Sequence, residues 1–149
     1  MLARLLGTRT FHAGLAAARQ LEYALFDFRL HSQPGAAHAA GVARVLAAAR
    51  AEVAVVPTAE FNRFAHSFMH VFAGAYAAGS YSYKWAEVLA ADAFAAFDES
   101  GVFDTATARR FLDQVLSQGG SRDQLEAFVA FRGRPPDVRP LLRQDGIAA

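Results

Sequence analysis

The sequence predicts an all-α fold, on three observations. Apolar residues recur at every third or fourth position along most of the chain, the spacing of one helix face. Hydrophobic residues make up 54 % of it, and much of that is alanine, the strongest helix former. The one strand-like run, Val53-Ala54-Val55-Val56 ahead of Pro57, has no second run to pair with and reads as a helix end and extended linker. The length of 149 residues fits a single domain. No internal repeat or low-complexity linker divides it.

A first long helix starts at Thr10, with Phe11, Leu15, Ala18, Leu21, Leu25 and Phe28 inward, and Pro34-Gly35 ends it because proline cannot continue a helix. A second covers 36–53, burying Val42, Val45, Leu46 and Ala49, with Arg44, Arg50 and Glu52 outward. A third is expected over 59–72, followed by a glycine-punctuated loop. A fourth, over 81–98, buries Trp85, Val88, Leu89 and Phe97 and stops at Gly101. Asp104 or Thr105 caps a fifth, whose core side carries Phe111, Leu112, Val115 and Leu116 and which ends at Gly119-Gly120. Ser121-Arg-Asp-Gln124 has the form of a capping box for a sixth, holding Leu125, Phe128 and Val129 and stopping at Gly133. Pro135-Pro136 forces an extended segment, and a last short helix holds Val138, Leu141 and Leu142.

Composition excludes several functions. The balance of 15 Lys+Arg against 14 Asp+Glu gives no electrostatic case for nucleic acid or an anionic membrane. No apolar run approaches the roughly 20 residues that span a bilayer. Without cysteine there is neither a disulfide nor a thiolate metal site, which fits a cytoplasmic location. The first 20 residues lack acidic groups and carry Arg4, Arg9 and Arg19, a weak likeness to a mitochondrial transit peptide; an ordinary amphipathic helix start is the preferred reading.

Two constellations could carry chemistry. His66 and His70 stand at i, i+4 in HSFMH, the spacing that puts two imidazoles on one helix face for zinc. The position of the catalytic glutamate in HExxH is here Ser67, however, and no third ligand is apparent. A structural histidine pair is preferred, and no metal ligand is assigned. The second constellation is Tyr76, Tyr81 and Tyr83 in glycine-rich sequence. Glycine allows backbone freedom, and a tyrosine hydroxyl can donate to a developing oxyanion. On composition alone, aromatic packing against Trp85 with the hydroxyls at the surface is the preferred reading. Asp98-Glu99 and Arg109-Arg110 read as solvated charge pairs. The arginines of Phe131-Arg-Gly-Arg-Pro-Pro136 call for carboxylates that the sequence does not name.

The stretch FAHSFMHVFAGAYAAGSYSYKWAEVLAADAF (64–94) resembles the C-terminal part of the catalytic domain in the thimet oligopeptidase and oligopeptidase A family of zinc metallopeptidases. QLEYALFDFRLH (20–31), AVVP (54–57), FLDQVLSQGGS (111–121) and FRGRPP (131–136) resemble the same family in the same order, so the likeness runs from about residue 5 to 147. It implies a multi-helix portion of a zincin-type catalytic domain that cuts short peptides in a deep channel. In the family, zinc is held by the two histidines of HExxH and by a glutamate on a following helix. The segment seen here comes after those ligands and supplies a loop over the cleft. By position, Tyr76 and Tyr83 match the family's catalytic tyrosines facing the oxyanion. His70, Gly74, Ala75 and Tyr76 match the substrate-binding positions.

Departures accompany the likeness. HExxH is absent, as is the zinc-binding glutamate with its helix, so no zinc is expected on this chain alone. Ala75 stands where the family has the second glycine of Gly-Gly-Tyr, which stiffens the loop. Residues 1–149 therefore read as one helical segment, the substrate-binding portion of an oligopeptidase, inactive alone, with short peptides as ligands. Its expected partners are the zinc-bearing portion or a second copy. A non-catalytic helical binding module, or a subunit pairing with a separately encoded zinc-bearing chain, is the alternative. Phe68, Phe72 and Val88 are expected to lack cover without that portion.

Overall fold

A computed structural model describes residues 1–36 and 38–147; position 37, inside the second expected helix, and the last two residues lie outside it. Among the described residues all regular structure is helical, and the all-α expectation holds. The chain forms two compact units: Phe11–Lys84, and Met1–Thr10 together with the chain from Trp85 onward.

The 11–84 unit is built on α2 (Ala13–Ser32) packed against α3 (Ala39–Val53). Phe26, Leu30, Val45, Leu46 and Ala49 close the core with Ala65 and Val71 from two short helices, α4 (Phe64–Ser67) and α5 (His70–Ala73). Phe64 lies between the helices, its ring 4.6 Å from Tyr23 and 4.8 Å from Phe68. Gly41 lets α3 approach the preceding turn, since a Cβ there would run into the carbonyl oxygens of Gly35 and Ala36.

Three expectations fail in this unit. The first helix does not start at Thr10: a separate helix, α1 (Leu2–Gly7), precedes it, and His12 at φ 56° breaks the chain before α2. The buried face of α2 is also not the apolar one expected. Phe11, Leu21 and Phe28 are exposed, whereas Glu22, Phe26, Asp27 and Leu30 are buried. The two acids are tolerated because partners reach them: Arg50 Nε donates to Glu22 Oε1 at 2.9 Å, and Asp27 is fully bonded, as described below. Finally, the 59–72 helix is two pieces. Phe68 leaves helical geometry (φ −83°, ψ 67°) and turns its ring into the aromatic cluster. Phe68 thus has cover, while Phe72 is exposed as expected.

In the other unit, which α6 (Ser82–Ser100) enters from Trp85 onward, Ala91, Ala95 and Ala96 of α6, Phe128 and Phe131 of α8 (Gln124–Arg132) and Leu141 of α9 (Arg139–Gln144) are buried, and Phe97 of α6 meets the Phe131 ring at 6.4 Å. Trp85 is 61 % exposed rather than buried, because the inward face of α6 is set by small alanines and Asp92. Asp104 caps α7 (Thr105–Phe111), accepting from Thr107 N–H at 2.7 Å, as the sequence implies. A π-helical turn, Leu112–Leu116, continues it. That turn breaks the 3.6-residue rhythm, so Leu112 and Leu116 are exposed while Phe111 and Val115 are half-buried. The cap of α8 is Asp123, whose Oδ1 accepts from Leu125 and Glu126 N–H, and not Ser121, whose hydroxyl turns back to the Gln118 carbonyl. Gly133, at φ 74°, ends α8 as expected.

The charge pairs are not simply solvated. Glu99 takes two bonds from Arg132, Arg109 pairs with Asp113, and Arg110 lies over the Phe131 ring, 5.5 Å from its centroid.

Candidate functional site

The site lies where α5 runs out. Gly74 follows its last residue in extended geometry, and a Cβ there would lie 3.0 Å from the His70 carbonyl oxygen, so the exit is built for glycine. The chain then turns twice, with Gly79 N–H donating to Tyr76 O at 2.8 Å and Ser82 N–H to Gly79 O at 3.0 Å. Ala78 takes a left-handed conformation, φ 58°, at a cost alanine ordinarily avoids. Ser82 opens α6, which puts Tyr83 in its first turn.

This path brings three rings together. His70 and Tyr76 stack with centroids 5.2 Å apart and planes 18° apart. Tyr76 and Tyr83 stack at 5.1 Å and 24°. His70 is 6.5 Å from Tyr83. The Tyr83 hydroxyl donates to Tyr76, and this bond, with partial desolvation, holds the Tyr83 phenol above the ordinary tyrosine range, so the hydroxyl keeps its proton at neutral pH. Both tyrosines remain open to solvent, 37 % and 44 % exposed. The result is a ring-lined face carrying two phenol hydroxyls, next to the exposed residues Gly74 and Ala75.

Other candidates fall elsewhere. Tyr81 leaves the stack and meets Phe28 edge-on at 6.5 Å. His66 is on α4, beyond the break at Phe68, so the two histidines of HSFMH do not share one helix. Among the described residues no group of three or more His, Cys, Asp or Glu side chains could hold a metal ion, so they do not fit a zinc centre. An open groove of about 950 Å³ along α3, lined by Val42, Leu46, Pro57 and Phe64, contains none of the three stacked rings.

One residue of the site was not anticipated. Asp27, on α2, is fully buried, and its two oxygens accept from loop amides: Oδ1 from Ala78 N–H at 2.9 Å and Oδ2 from Ser80 N–H at 2.8 Å. His31 Nδ1 stands 2.9 Å from Oδ1 and 2.8 Å from the Asp27 carbonyl oxygen. Its one signal in the sequence is an acid set between two phenylalanines, in Phe26-Asp27-Phe28.

The family model for peptidase family M3 matches residues 1–147. This chain belongs to peptidase family M3. It is 47 % identical to oligopeptidase A of Escherichia coli (strain K12) over 147 residues, which is 99 % of this chain and 22 % of that protein. It is 45 % identical to the probable cytosolic oligopeptidase A of Arabidopsis thaliana, over 98 % of this chain and 21 % of that protein. A dipeptidyl carboxypeptidase of Salmonella typhimurium is 33 % identical over 92 % of the chain. The chain thus spans about a fifth of the length of the M3 relatives it matches. No helix among the described residues is long and apolar enough to cross a membrane.

Proposed function

We propose that this chain forms the substrate-binding, oxyanion-facing portion of an M3 zinc oligopeptidase that hydrolyses short peptides, and that it has no peptidase activity by itself. The observation that carries this reading is the His70–Tyr76–Tyr83 ring stack at the exit of α5, in a chain matched to the family along its length. Tyr83, with Tyr76 beside it, is the hydrogen-bond donor to the oxyanion that forms when a peptide carbonyl is attacked. Such donors stabilise charge that appears only in the transition state. His70, Gly74, Ala75 and Tyr76 hold the peptide, by ring contact and by open backbone. The described residues do not fit a zinc centre, so the metal and its ligands are assigned to HExxH-bearing sequence outside this chain. That portion is the proposed partner, with a second copy as the other candidate. The proposed location is the cytoplasm, which agrees with the name of the cytosolic Arabidopsis relative and with the lack of cysteine.

The test has two arms. The purified chain with added zinc is expected to leave an internally quenched short peptide intact. A chimera carrying this chain in place of the matching segment of Escherichia coli oligopeptidase A is expected to cleave it. In the chimera, Tyr83→Phe should lower kcat by about 10²–10³ with little change in KM, the mark of a contact made in the transition state. Cleavage by the chain alone that Tyr83→Phe abolishes, or a chimera indifferent to both tyrosines, overturns the reading. An inactive, folded, zinc-loaded chimera alongside peptide binding by the chain alone would make it a binding module instead.

A further inference from the structure

We propose that Asp27 is the positioning residue of the tyrosine loop: its buried carboxylate sets the distance between Tyr76 and Tyr83. The inference rests on the reading of those tyrosines as the oxyanion-facing pair. Asp27 comes from a helix about fifty residues earlier in the chain, and its bonds to Ala78 and Ser80 span sequence separations of 51 and 53. Those two amides lie midway between the stacked tyrosines. One carboxylate oxygen takes each amide, so translation and rotation of the loop are both restrained.

The loop supplies a reason for the restraint. Ala78 sits in the left-handed region without being glycine, a conformation that persists only where surroundings over-determine it. Its own N–H is one of the two held by Asp27. Released from Asp27, Ala78 has every reason to return to an ordinary conformation, and the 5.1 Å stacking of Tyr76 on Tyr83 would go with it. The carboxylate is itself held in place. It is fully buried, and His31 closes it on the third side. An acid buried with its oxygens aimed at backbone N–H groups is a fixed anion cradled by the loop, an arrangement that neither a neutral amide nor an apolar residue can reproduce. Asparagine would turn an N–H₂ donor toward one of the two amide donors.

The experiment uses the whole 149-residue chain. In Asp27→Asn, exchange of the Ala78 and Ser80 amide protons, followed by NMR, should accelerate about tenfold or more beyond any change in the amides of Val45 and Leu46. The near-ultraviolet circular dichroism of the coupled tyrosine rings should collapse in the same variant. A change shared equally by core and loop amides, or an unaltered tyrosine signal, overturns the proposal. Should Asp27→Asn fail to fold, Ser80→Pro removes one of the two donors and leaves the carboxylate in place. Loss of the tyrosine signal with core exchange unchanged supports the tether, and an intact signal overturns it. Titration of the wild-type chain with an uncleavable short peptide separates the two readings. A chain that shows the exchange result but does not shift the Tyr76 and Tyr83 ring resonances keeps the tether and loses the peptide site.

Discussion

Arg134 grips Asp92 at two points, Nη1 2.7 Å from Oδ2 and Nη2 2.5 Å from Oδ1. Asp92 is fully buried on α6, and Arg132 Nε and the Asp137 amide complete its shell at 3.3 Å and 2.8 Å. One carboxylate therefore ties α6 to the whole exit of α8. Removing one partner of such a group leaves buried charge uncompensated. Asp92→Asn is expected to cost about 3 kcal/mol, read as a lowered urea midpoint.

The same contact gives the acid limb of stability. Burial alone would raise the Asp92 carboxyl, but bonds from Arg134 and the Asp137 amide, with the charges of Arg134 and Arg132, leave it below the usual range. Arg139 holds Asp137 down to about 2. A depressed folded value contributes stability above the unfolded carboxyl value, near 4 for aspartate, and loses it as pH falls through the folded one. Stability of the wild-type chain should decline from about pH 4 downward, and Asp92→Asn should flatten that decline.

The tyrosine stack makes the opposite prediction at high pH. Tyr83 is raised by the Tyr76 hydrogen bond, so its contribution is present below the ordinary phenol value and is lost as pH climbs through the raised one. In Tyr76→Phe, ultraviolet titration should find the Tyr83 phenolate forming nearer the ordinary value of about 10.

Gly41→Ala should reverse the usual rule for helices. Alanine ordinarily stabilises a helix interior by roughly 0.5–1 kcal/mol over glycine. Here its Cβ meets two backbone carbonyls that cannot swing aside. The expected result is a loss of about 1–3 kcal/mol in thermal or urea unfolding.

Exposed side chains predict the behaviour of the chain in isolation. Phe61 and Phe103 are almost wholly open, Val55 is largely so, and Phe72 is half exposed. The chain alone should bind the dye ANS and sediment with a concentration-dependent mass. Sharp melting as a monomer without dye binding would contradict the proposed need for a covering partner.

Strong local signals were legible in the sequence. Asp104 and Gly133 mark helix ends through their own backbone and side-chain chemistry, and the linker before Pro57 follows from proline alone. The stack of His70, Tyr76 and Tyr83 was not among those signals, since the turns between residues 74 and 82 bring the rings together. What was not legible depends on partners far along the chain. The inward turn of Glu22 and Asp27 makes sense only once Arg50 and the loop amides stand opposite them. The break at Phe68 carries no glycine or proline to announce it; the ring's place in the aromatic cluster decides it. The π turn at Leu112–Leu116 shifts the register of a helix whose sequence reads as regular.

The sole tryptophan has a practical consequence. With Trp85 largely in water, its fluorescence already resembles that of an unfolded chain: red emission, freely quenched by acrylamide. Denaturant should change it little, which makes it a poor gauge of folding. It is by the same token a sensitive optical label for contact, since a blue shift on mixing would report that something has covered the start of α6.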